Sequence, residues 1–124
     1  MSDALSAELQ AADIVVIGAP MYNFSIASRL RACAFGAAGP RGPLTGKRAV
    51  VVESRGGLYS EGPGRASDFQ EPCLKQLLGF IGITDVTFIH AEKIGFGLGA
   101  RELALAGARE QIAQVVAAMA AHPA

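Results

Sequence analysis

Apolar positions along this chain follow two rhythms. Three short runs, residues 14–17 (IVVI), 49–52 (AVVV) and 86–89 (VTFI), are rich in β-branched residues and predict strands. The first two are apolar without interruption, the pattern of strands covered on both faces of a parallel sheet. Elsewhere apolar residues recur at threes and fours. Residues 2–11 place Leu5 and Leu9 one turn apart, and residues 26–35 set Ile26, Leu30 and Cys33 on one stripe. Residues 101 to about 121 repeat Leu105, Ala108, Ile112, Val115 and Met119. A further helix is expected within SDFQEPCLKQLLGF. There Asp68 and, three positions on, Glu71 mark a capped start, Pro72 is tolerable only in a first turn, and Leu74, Leu77, Leu78 and Ile81 form the buried face. Strand and helix alternate, so the class is α/β, with right-handed crossovers onto a parallel sheet. One strand sits oddly: IVVIGAP reads as sheet interior, yet it comes first with only two others to flank it, so a neighbour is expected to be absent.

At 124 residues the chain has room for one core, hence a single domain over 1–124. Eleven Lys and Arg against eleven Asp and Glu leave no field to attract a polyanion, which argues against nucleic acid as a partner. No apolar segment reaches membrane-spanning length, and MSDALSAELQ lacks the basic start of a signal peptide. Cys33 and Cys73 are too few and too far apart for a metal set. The expectation is a soluble cytoplasmic protein without a metal.

In open parallel sheets ligands sit beyond the carboxyl ends of the strands, here the segments GAPMYNFS, SRGGLYSEGPG and AEKIGFGLGAR. The first offers an aromatic wall. The second offers a hydroxyl, a guanidinium and two glycines that let backbone approach a flat ligand. Together they suit a planar molecule with a polar edge. On composition alone the aromatics serve equally well as packing under a helix, and the glycines as a turn.

The order APMYNF, then SRGG at the next strand end, then DFQEPCLKQLLGFIGITDVTFIHAE resembles the FMN-dependent NADH-azoreductases, flavodoxin-like flavoenzymes that also reduce quinones. That resemblance implies a flavodoxin-like parallel sheet with helices on both faces, lacking the family's first two strands. It implies that Met21, Tyr22, Asn23, Phe24, Ser54, Arg55, Gly56 and Gly57 contact FMN, and that Phe80 lines the substrate side. It implies NADH as donor, a quinone or an aromatic azo compound as acceptor, and a homodimer with its site at the interface. No catalytic side chain is expected, since the redox chemistry is the flavin's.

The departures matter as well. Residues 1–13 resemble the helix that precedes the family's third strand, so the strand and loop that hold the FMN phosphate are expected to be missing, and with them a major anchor. Between Ala32 and Leu44 the family carries a longer aromatic flap, whereas this chain has CAFGAAGPRGP with only Phe35. A non-catalytic remnant or interaction module that binds no FMN alone therefore stands as the alternative. Two motifs are set aside. Gly95–Ala100 (GFGLGA) fits a dinucleotide fingerprint but lacks the following strand, and Gly46-Lys47 lacks the spacing and helix of a phosphate loop. His90 and His122 have no partners at ligand spacing and read as structural or solvated.

Overall fold

The computed structural model describes residues 3–26 and 44–122. Its elements run α1 (Asp3–Ala11), β1 (Ile14–Pro20), β2 (Arg48–Ser54), a 3-10 turn (Gly62–Ser67), α2 (Gln70–Phe80), β3 (Asp85–Ala91), a second 3-10 turn (Ile94–Phe96) and α3 (Leu98–Ala121). The three strands form one parallel sheet in the order β1-β2-β3. The expected strands are present, and the helices expected over residues 2–11, 68–81 and 101–121 appear as Asp3–Ala11, Gln70–Phe80 and Leu98–Ala121, the last starting a turn early. The helix expected over residues 26–35, with Leu30, Cys33 and Phe35, lies outside the described residues.

Alternation along the strands sends side chains to two cores. Val15, Ile17, Ala19, Ala49, Val51, Val86 and Phe88 pack with the Leu74, Leu77, Leu78 and Ile81 face of α2 and with Leu9 of α1. On the other face Val50, Val52, Ile89 and Ala91 meet Ala108, Val115 and Met119 of α3. Helices thus cover both faces, as the unbroken apolar run of β2 predicts. Among the described residues β1 is covered on one face only, with Ile14 43% and Val16 70% exposed. An apolar groove of about 370 Å³ opens between that bare face and Ile112, Val115 and Val116 of α3.

Local chemistry sets the ends. Asp68 Oδ1 accepts the N–H groups of Gln70 and Glu71 at 3.1 and 3.2 Å, the cap expected from sequence, and Pro72 falls in the first turn. Lys47, half of the discarded phosphate-loop motif, donates from Nζ to the Gln10 and Ala12 carbonyls and so closes the carboxyl end of α1. Gln111 of α3 accepts the His90 N–H and donates to the His90 carbonyl, which satisfies the outer edge of β3.

The register matters most for function. Pro20 pairs with Ser54 and Ser54 with Ala91, so all three strands end at one level and their loops emerge side by side.

Candidate functional site: a cradle at the strand ends

The loop after β1 closes at once into a two-residue turn. Tyr22 and Ser25 exchange both backbone hydrogen bonds at 2.9 Å, with Asn23 and Phe24 between them at φ 47° and 64°. Positive φ at both centres is the geometry for which glycine and asparagine are suited. For a bulky residue such as Phe24 it is a costly conformation, held here against its preference. The turn holds Tyr22 and Phe24 in the open, 58% and 49% exposed. Phe24 is braced by Tyr59, edge to face at 6.0 Å between centroids, and its carbonyl accepts the Phe69 N–H.

The loop after β2 is joined to the first by the Met21 N–H, which donates to the Ser54 carbonyl at 2.9 Å. Three successive carbonyls are engaged: Arg55 O accepts from Ile94 N, Gly56 O from Gly95 N, and Gly57 O from Lys93 N. Among the described residues the N–H groups of Gly56 and Gly57 donate to nothing. The loop is therefore pinned by its acceptors and keeps two backbone donors in reserve, the groups with which backbone reads the polar edge of a ligand. A Cβ on Gly56 would meet nothing within 4 Å, so that flank is open space. A Cβ on Gly95 would come 3.0 Å from the Gly56 carbonyl. Close approach to the second loop is thus a reason for glycine at the head of the GFGLGA segment, and no nucleotide is needed to explain it.

Arg55 behaves differently from its neighbours. Its side chain is fully buried and turns inward under the loop. Nη2 lies 2.6 Å from Glu53 Oε2 and 3.0 Å from Asp68 Oδ2, Nη1 donates to Glu92 Oε1 at 3.0 Å, and Nε donates to Gln70 Oε1 at 3.0 Å. Gln70 in turn donates to the Ala19 carbonyl at 2.6 Å. One guanidinium thereby ties the ends of β1, β2 and β3 to the start of α2. Glu92 reaches the loop as well, accepting the N–H groups of Tyr59 and Ser60 and the Ser60 hydroxyl. Burial would raise the Glu92 carboxyl, but the bonds from Ser60, Tyr59 and Arg55 outweigh it and hold it below its usual value. His90, the register partner of Glu53, lies half-buried with Nε2 2.9 Å from Glu71 Oε2 and 3.2 Å from Glu53 Oε2.

The structure thus brings Met21, Tyr22, Asn23, Phe24, Ser54, Gly56 and Gly57 to one place. Arg55 shares that place by its backbone only, because its guanidinium is consumed beneath. Phe80 does not join them: it ends α2, whereas the cradle sits at that helix's start, and eleven residues of helix span roughly 16 Å. His90 is not the isolated group its sequence neighbours suggest. The partners that sequence reasoning missed, Glu53, Gln70, Glu71 and Glu92, are linked to Arg55 and His90 by parallel register and by a helix start. No spacing within a motif reports that; Glu53, two residues before Arg55 and on the buried face of β2, was the one legible clue.

The profile of a family with the flavodoxin-like fold matches residues 1–116. The FMN-dependent NADH:quinone oxidoreductase of Hyphomonas neptunium is 59% identical over 93% of this chain and 61% of its own length. That of Paraburkholderia phymatum is 52% identical over 90% of the chain and again 61% of the relative. The crystal structure of azoreductase AzrA superposes with a TM-score of 0.74 at 26% identity, over 90% of this chain and 61% of that one. The chain spans about three-fifths of the length of the relatives it matches.

Proposed function

The chain belongs to the family with the flavodoxin-like fold, and on that premise we propose that its two strand-end loops hold the ring of FMN in an oxidoreductase that passes hydride from NADH to a quinone. Relatives at 59% and 52% identity carry the name FMN-dependent NADH:quinone oxidoreductase, which supports donor, cofactor and acceptor together. Aromatic azo compounds are the second acceptor class, supported by the likeness to an azoreductase structure.

The observation that carries the reading is the pairing of the Gly56 and Gly57 N–H groups, which have no acceptor among the described residues, with the exposed aromatic turn at Tyr22 and Phe24. A flavin ring needs donors along its carbonyl and nitrogen edge and apolar cover over its faces, and these two loops offer both. When bound, the flavin supplies the hydride chemistry. The chain's residues do the rest: the loop amides orient the ring, Asn23 adds an amide at its margin, and Tyr22 and Phe24 exclude water. Ser54 spaces the two loops through its bond to Met21. Phe80 reaches a cradle only from a second copy of the chain, so its role as substrate lining goes with a homodimer. The site requires neither a membrane nor a metal, and we place the enzyme in the cytoplasm.

The test is titration of the purified protein with FMN, followed by flavin fluorescence, and then NADH oxidation with a benzoquinone acceptor. We expect saturable quenching and turnover. Gly56→Val is the informative variant, because the protein itself leaves room for the new side chain; it should weaken FMN by about tenfold or more, the effect of displacing one well-made polar contact. Unquenched flavin at high protein concentration would leave the second reading, a non-catalytic interaction module, for which the bare apolar face of β1 speaks.

A further inference from the structure

The cluster beneath the second loop has more negative charge than its one buried cation balances. Glu53, Asp68, Glu71 and Glu92 bring four carboxylates to Arg55, with Glu71 the most distant at 4.0 Å. Lys75 meets Glu71 Oε1 at 3.2 Å but stands in solvent, its side chain 60% exposed. Among the described residues Glu53 Oε1 is buried with no hydrogen-bond partner. One buried carboxylate with an unpaired oxygen, beside three partly buried ones that share a single guanidinium, leaves a place for another positive charge. Donor atoms of Glu53, Glu71 and His90 lie within 4.8 Å of one another, a spacing a metal ion can bridge. Arg55 Nη2 already sits 2.6 Å from Glu53 Oε2, however, and its charge opposes a second fixed cation there. A proton on His90 suits the same place without that conflict.

We propose that His90, as an imidazolium, is a positioning residue for the cradle: it clamps Glu53 of β2 to Glu71 of α2 and so steadies the Arg55 hub that carries the Ser54–Gly57 loop. The consequence for flavin rests on the function proposed above; the clamp itself does not.

The groups that face His90 come from every element around it. Glu53 approaches from β2 and Glu71 from α2, neutral Gln111 bonds the His90 backbone from α3, and behind these stand Arg55, just past β2, with Asp68 and Glu92 upon it, and Lys75 upon Glu71. The bond to Glu53 raises His90 above its ordinary 6.5 in spite of burial, and Glu71 adds to the rise. Burial would lift Glu71 too, yet bonds from His90 and Lys75 hold it low. A base whose folded value is raised contributes fully below its unfolded value and loses that contribution as pH climbs through the folded one. The clamp is therefore complete just below about pH 6.5, where Glu71 is still ionised, and is released on the alkaline side. A cleft lined by Tyr59, Ser60, Arg65, Lys75 and His90 gives water and protons access to it.

Two measurements test this. In protein without flavin, His90 is titrated by NMR from about pH 6 to about pH 9, in a His122→Gln background so that one imidazole is observed. The Gly56 and Gly57 amide signals should move with the His90 midpoint, and should stop doing so in His90→Gln. Amides that ignore the His90 titration overturn the clamp. The second measurement is the FMN dissociation constant across the same range. Wild type should weaken at least about fivefold toward alkaline pH, the low end of ordinary coupling between linked sites. His90→Arg, a permanent cation, should stay tight and flat, and His90→Gln should stay weak and flat. A His90→Gln profile that follows wild type overturns the positioning role. If FMN binds none of the proteins while the amides still track His90, the flavin reading fails and the clamp stands.

Discussion

Phe24 shows how much a single residue can be asked to tolerate for a site. Its left-handed backbone costs about 1–2 kcal/mol for a side chain with a Cβ, and the turn that imposes it keeps the ring half exposed. Stability alone would select glycine there. Phe24→Gly relieves the backbone and forfeits the edge-to-face contact with Tyr59, itself about 0.5–1.5 kcal/mol. These oppose one another, so the variant should melt within about 1 kcal/mol of wild type while binding FMN more weakly. Thermal unfolding and flavin titration on the same preparation check both halves. The aromatic turn was legible in sequence because Tyr22-Asn23-Phe24 stands where a strand has just ended. Its strain was not, since nothing in the residue order distinguishes a type I′ turn around Asn23-Phe24 from a simple helix entry.

At the scale of elements, α2 is the part the cradle leans on. Asp68 serves it twice, through Oδ1 to the Gln70 and Glu71 N–H groups and through Oδ2 to Arg55 at 3.0 Å. The two roles separate by substitution. Asp68→Asn keeps the cap and removes the charge, whereas Asp68→Ala removes both, so the alanine variant should be less stable by a further ~1 kcal/mol, the ordinary worth of a helix cap. Urea unfolding of the pair measures that difference. The strands, α2 and α3 follow directly from periodicity, because burial imposes its period on sequence whatever the rest of the chain does. The Arg55 hub does not follow. It joins Glu53, Gln70 and Glu92 across three strand ends, and parallel strands acquire neighbours through register and crossover, neither of which a local window encodes. The same blindness made His90 look unpartnered when Glu53 lay beside it on the next strand.

For the whole molecule the open face of β1 is the feature with physical consequences. A fully apolar strand with Val16 70% exposed, beside an apolar groove of about 370 Å³, invites association. Val16→Lys should leave stability within about 0.5 kcal/mol, as exposed substitutions do, and should lower self-association of this chain in sedimentation velocity. Unchanged association would place the sticky surface elsewhere. The Arg55 hub, in turn, limits how far the cradle can travel. Loops that hold ligands are often treated as cassettes, to be lifted from one sheet and set into another. Here the two loops would arrive without Glu53, Asp68, Gln70 and Glu92, and a buried guanidinium stripped of its partners would push its way out through the loop it was meant to support. An engineer wishing to borrow this site must move the floor together with the walls.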